Sequence, residues 1–144
     1  MIQFLSRNPE MDFYRRTLTE LAARILDDSG RSDAELSILI TNDEEICSLN
    51  RVYRAVDRPT DVLSFSQVEG EGPVETAQLL GDVVISWETA QRQALELKHT
   101  VPVELKRLLV HGILHLLGYD HEKDEEAARV MREKEEKYLE DSEL

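Results

Sequence analysis

The stretch HGILHLLGYDH, His111 to His121, holds three of the chain's four histidines within eleven residues. His111 and His115 stand one helical turn apart, so on a helix their imidazoles leave the same face and can reach a single metal ion. Gly118 offers a left-handed stop at which the chain can reverse, and His121, just beyond that turn, can bring back a third ring nitrogen. Neutral imidazole suits zinc, and three protein ligands leave a fourth position open, the mark of a catalytic rather than a structural site. The expectation is one Zn2+ per chain, held by His111, His115 and His121; nickel, copper or iron also accept three imidazoles. His99 ends a polar helix and reads as a surface residue.

The pattern H-x3-H-x2-G-x2-H is the ligand spacing of the metzincin zinc peptidases. Those enzymes carry a glutamate after the first histidine as general base, and here Gly112 occupies that position. Peptide hydrolysis by that route is closed. A mid-helix glycine costs about 1 kcal/mol relative to alanine, so Gly112 answers either to tight backbone packing or to clearance for a bulky substrate, and both stay open. Asp120 suits a role orienting an imidazole, or simple turn capping.

A second cluster lies upstream. LNRVYRAVDRPTDVLSF sets Arg51, Arg54 and Arg58 three and four residues apart, near one face if a helix persists to Val56. Guanidinium forks match phosphate oxygens, and one placed opposite a metal would stabilise charge developing on a phosphodiester. The competing use is pairing with Asp57, Asp61 or the acidic tail. Tyr53 is read as core packing, with base stacking as the alternative.

These residues need a scaffold. Ile2 to Leu5 reads as a strand, and Pro9 to Asp28 as a helix capped by Asn8, with Phe13, Leu18, Leu21, Ala22, Ile25 and Leu26 near the helical period. AELSILIT alternates, with Leu36, Ile38 and Ile40 on one face. Asn42 or Asp43 can cap a helix that turns Ile46, Leu49, Val52 and Tyr53 inward. TDVLSFSQ and LLGDVVIS read as strands around a surface turn at EGEGP, and Trp87 to Lys98 as a helix. Thr100 caps the motif helix, with Pro102 in its first turn. A last helix, about Lys123 to Leu139, offers Ala127, Val130, Met131 and Tyr138 for packing. The order βαβαββααα predicts an α+β (mixed α/β) fold: a small four-stranded sheet packed with about five helices, zincin-like, with the metal site at the end of a central helix.

Composition bounds the function. The 144 residues suit a single domain, 1–144. MIQFLSRNPEMDF lacks the basic flank and apolar run of a leader, no stretch is apolar enough to span a membrane, and the single cysteine, Cys47, fits a reducing compartment as a small apolar filler. The expectation is a soluble cytoplasmic protein. A formal net charge of −13, of which Tyr119 to Leu144 contributes −6, excludes nucleic-acid coating by general attraction, so any RNA contact must be local.

LNRVYRAVDRPTDVLSF, GDVVIS and HGILHLLGYDH, in that order and spacing, resemble the YbeY family of bacterial endoribonucleases, also called rRNA maturation factors, over nearly the whole chain. The resemblance implies a zinc-dependent, single-strand-specific endoribonuclease acting on ribosomal RNA, notably at the 3′ end of small-subunit (16S) rRNA, and serving ribosome quality control. It implies metal on His111, His115 and His121, a functional arginine at Arg54, and small-subunit and assembly-factor partners, with no membrane or DNA contact. On this reading Arg54 and His115 are the catalytic pair, and Arg51, Arg54 and Arg58 bind substrate. Two rivals remain. One is a peptidase-like metal hydrolase with a base from elsewhere. The other is a noncatalytic assembly factor whose zinc staples the last helices in a closed site completed by Asp120, Asp124 or Cys47.

Overall fold

Alternating apolar residues in LSILIT and VVIS build the centre of a four-stranded sheet, which the computed structural model describes together with its helices over residues 1–66 and 79–141. The strands are β1 (Ile2–Ser6), β2 (Glu35–Thr41), β3 (Val62–Ser66) and β4 (Leu79–Ser86), in the order β1-β2-β4-β3. β1, β2 and β4 run parallel, and β3 closes the edge antiparallel to β4. The helices are α1 (Arg15–Asp28), α2 (Asp43–Arg54), α3 (Trp87–Leu97), α4 (Val101–Leu116) and α5 (Glu125–Asp141). This is the expected order in an α+β fold. The turn read at EGEGP and the last residue of TDVLSFSQ lie outside the described residues.

The two faces of the sheet carry different work. Leu36, Ile38 and Ile40 of β2 and Val83 and Ile85 of β4 are buried in the main core with Leu18, Leu21 and Ile25 of α1 and Leu105, Leu109 and Ile113 of α4. Helix α4 lies at the centre, touching α1, α3, α5, β3 and β4. On the opposite face α2 covers a smaller cluster of Ile46, Leu63 and Val84, flanked by Leu39, Leu49 and Phe65. Because β-strand side chains alternate, the same strands build the core under α4 and the floor of a cleft beside α2.

Expectations at two helices are corrected. The regular helix begins at Arg15 and is preceded by a short 3-10 turn, Met11–Tyr14, ahead of which Asn8 accepts the Glu10 amide on its side chain at 2.9 Å and the Met11 amide on its carbonyl at 3.0 Å. Phe13 therefore points away from the core and is 84% exposed. Val52 and Tyr53 also face outward, since α2 buries only Ile46 and Asn50 and ends at Arg54 instead of persisting to Val56. Its stop is Ala55 in the left-handed region, φ 58°. Asn42 caps α2 as expected, accepting the Glu45 amide at 2.8 Å. Among the described residues no helix is long and apolar enough to cross a membrane.

Candidate metal centre and cleft

Helix α4 is positioned before it is functional. Thr100 accepts the Val103 amide at its start, Pro102 occupies its first turn, and a broad apolar stripe docks it on the sheet. His111 and His115 lie along the border of that stripe, the first half-buried and the second exposed. The helix ends as expected at Gly118, φ 101°, whose amide bonds the His115 carbonyl at 3.1 Å while the Tyr119 amide bonds that of Leu114 at 3.0 Å. This paired closure satisfies the last carbonyls and turns the chain back toward the helix.

The reversal gathers the imidazoles. Ring centres lie 5.9 Å apart for His111 and His115, 5.3 Å for His111 and His121, and 6.3 Å for His115 and His121. Three imidazoles on one tetrahedral ion place their centres about 5 Å apart, so the three rings are neighbours at close to that spacing. His115, His121 and Asp120 each bring a ring nitrogen or carboxylate oxygen within 4.8 Å of the others, a group that can bind a metal and that takes Asp120 where the sequence reading expected His111. Asp120 also accepts the Glu122 amide at 2.9 Å, so turn capping and proximity to the imidazoles coexist. Asp124 caps α5 by accepting the Ala127 amide, and Cys47 donates to Asp57 at 3.7 Å on α2; neither belongs to that group.

Helix α5 adds a residue that the sequence reading missed. His111 donates from Nδ1 to Glu135 Oε1 at 3.0 Å, and the carboxylate's side chain is only 23% exposed. The bond leaves Nε2 as the nitrogen with a free lone pair, the arrangement in which a carboxylate fixes the tautomer of a ligating histidine. Glu135 stands 24 residues from His111 within a charged helix whose pattern looks merely solvated, so no local signal marks it.

Gly112 is settled by packing. A Cβ there would meet Val83 Cγ1 at 2.7 Å and Ser64 Oγ at 3.1 Å, because α4 presses its backbone against β3 and β4. Ser64 Oγ also donates to the Gly112 carbonyl at 2.9 Å. A glutamate at this position would be driven into the sheet, away from the imidazoles.

The arginines separate. Arg51 reaches Asp57 at 3.5 Å, the pairing foreseen as its alternative use. Arg58 is exposed, its carbonyl accepting Asn50 Nδ2 at 3.0 Å, and it does not line the cleft. Arg54 does. It lines a cleft of about 730 Å³ with His115, Tyr53, Phe65, Asp82 and Leu116, and it makes no ion pair among the described residues. His99 is half-buried rather than fully superficial: it donates to Oε1 of Glu104 at 2.7 Å, and Glu104, fully buried, also pairs with Arg107. That hydrogen bond and charge hold the Arg107 guanidinium above its ordinary pKa.

The family model described as Endoribonuclease YbeY matches residues 3–143. Relatives named Endoribonuclease YbeY include that of Aquifex aeolicus, 56% identical over 72% of this chain and 67% of its own length. That of Syntrophotalea carbinolica is 48% identical over 94% and 91%. A protein of Arabidopsis thaliana named Endoribonuclease YBEY, chloroplastic, is 48% identical over 80% of this chain and 20% of its own length. The solution structure of TM1509 from Thermotoga maritima superposes with a TM-score of 0.68 at 30% identity, covering 97% of this chain and 87% of that one. The match runs nearly end to end, and the chain belongs to the YbeY endoribonuclease family.

Proposed function

We propose that residues 1–144 act as one domain, a zinc-dependent, single-strand-specific endoribonuclease that cuts ribosomal RNA. Its expected work is maturation of the 3′ end of 16S rRNA and ribosome quality control in the cytoplasm, in company with the small subunit and its assembly factors. The carrying observation is that Arg54 and His115 line one cleft. Phosphodiester cleavage needs a place for the phosphate's charge and a Lewis acid beside it; Arg54 would supply the first, and His115 is the proposed metal ligand that lines the cleft.

His111, His115 and His121 would hold the ion, with Glu135 orienting His111. The donor set is imidazole with a nearby carboxylate, which suits zinc. Zinc bound there supplies Lewis acidity that offsets charge building on the scissile phosphate. Arg54 binds the phosphate oxygens, and its lack of a carboxylate partner among the described residues leaves its fork available for that contact. The peptidase reading has no support at Gly112, whose Cα faces Val83 and Ser64.

Single-turnover cleavage of a single-stranded RNA by the zinc-loaded chain, His115→Ala and Arg54→Ala tests the reading. Wild type should cut, Arg54→Ala should lose about 100-fold or more, as expected for removing a group that stabilises transition-state charge, and His115→Ala should fall to background. Equal rates for all three would remove it.

A further inference from the structure

We propose that Tyr53, backed by Phe65, forms a stacking platform for one unpaired nucleobase next to the scissile phosphate; this rests on the endoribonuclease reading and names the part of the substrate that the cleft selects. Tyr53 is 66% exposed, an unusual placement for an aromatic ring on a helix whose other face is packed. Its ring lies 5.0 Å from that of Phe65 at an interplanar angle of 56°. Phe65 is anchored against the cluster of Ile46, Leu63 and Val84, so the ring beneath Tyr53 is held by the core. Both aromatic residues line the cleft that holds Arg54 and His115.

The chemistry of the cleft orders the nucleotide. A phosphate is drawn to Arg54, which lines the same cleft as the two rings. The sugar-phosphate chain is therefore kept to the Arg54 side, and the part of the nucleotide that turns toward the aromatic rings is the uncharged base. Tyr53 directly precedes Arg54 at the end of α2, where the left-handed Ala55 stops the helix, so one base and its neighbouring phosphate can be held by consecutive residues. A base in a duplex presents only its edge and cannot lie on a ring. Stacking thus demands an unpaired nucleotide, and it tolerates every base because each has a π face. The platform makes single-strandedness a requirement of the site itself.

The test uses the zinc-loaded chain and a short single-stranded RNA whose cut position is mapped first. The same oligonucleotide is then made with one abasic ribose at each position flanking the cut. Tyr53→Leu should lower kcat/KM about tenfold or more, mainly through KM, and Tyr53→Phe should stay near wild type, since stacking needs the ring and not the hydroxyl. At one flanking position the abasic ribose should cost wild type a similar factor and cost Tyr53→Leu nothing further. The platform is overturned if Tyr53→Leu cuts as wild type does, if its penalty and the abasic penalty multiply at every position, or if wild type is indifferent to every abasic ribose. The wild-type arm alone decides the matter should the leucine variant fold poorly. A wild-type chain that cuts no RNA overturns the endoribonuclease reading itself, whereas cutting that ignores Tyr53 overturns only the platform.

Discussion

At the scale of single residues, Gly112 and Glu135 carry opposite lessons. Gly112 stands out in the sequence because a metzincin-like spacing lacks its glutamate, yet the reason for the glycine is a neighbour in space. Alanine would gain about 1 kcal/mol of helix propensity. It would also force its Cβ onto Val83 Cγ1, a fully buried and stiff side chain, and such overpacking costs about 1–3 kcal/mol. Gly112→Ala should therefore lower the urea midpoint; an unchanged or higher midpoint would show that α4 can lift off the sheet freely. Glu135 is invisible to pattern reading because nothing in a charged helix distinguishes the one carboxylate that meets an imidazole. With His111 as a ligand, Glu135→Ala should weaken zinc binding about 10- to 100-fold in competition with a chromogenic chelator, and Glu135→Gln should recover part of the loss by accepting the same Nδ1–H.

At the scale of elements, boundaries were legible wherever capping chemistry is local. Asn42, Thr100 and Gly118 perform the roles their types suggest. Phe13 and Tyr53 failed the same reading because helical period does not say how far a helix runs or whether a partner element covers its face. What holds α2 in place was also hidden. Asp43 accepts hydrogen bonds from Ser86 and Thr89 at 2.6 Å and from Arg92 at 2.8 Å, while its amide donates to Glu88 at 2.8 Å, tying the starts of α2 and α3 together. Burial pushes the Asp43 carboxyl up, but the Ser86, Thr89 and Arg92 hydrogen bonds outweigh it and leave the pKa below its ordinary 3.8. A depressed carboxylate contributes stability above the unfolded pKa and loses it as pH falls through the folded one. Asp43→Ala should thus cost about 2 kcal/mol near pH 7, from lost hydrogen bonds to a charged acceptor. Urea melts should show the gap to wild type narrowing below about pH 4; a gap independent of pH would assign the loss to packing instead. Since α2 carries Tyr53 and Arg54, RNA cleavage should weaken alongside.

At the scale of the whole molecule, the element order was readable and the sheet order was not: alternation identifies four strands, but not the long-range pairing that places β4 between β2 and β3. The same limit applied to the arginines, whose spacing grouped three while the fold sets Arg54 in one cleft with His115 and sends Arg51 to Asp57. The acidic tail also proves structural, since α5 buries Met131 and Tyr138 as well as supplying Glu135. Burial, with a hydrogen bond to Asp28 at 3.1 Å, pushes the Tyr138 phenol up to about 12. A raised value means that its contribution is intact below the unfolded pKa and lost as pH rises through the folded one. An ultraviolet titration should therefore show a late phenolate step that Tyr138→Phe abolishes, and a profile unchanged by that substitution would mean that α5 is not docked. The most direct test of the account is calorimetric zinc titration of the metal-free chain beside His111→Ala, His115→Ala, His121→Ala and Asp120→Asn. One equivalent should bind wild type, each histidine variant should lose about 100-fold or more in affinity, and Asp120→Asn should keep most of it. Binding that survives His111→Ala and fails in Asp120→Asn would contradict a site built from three imidazoles.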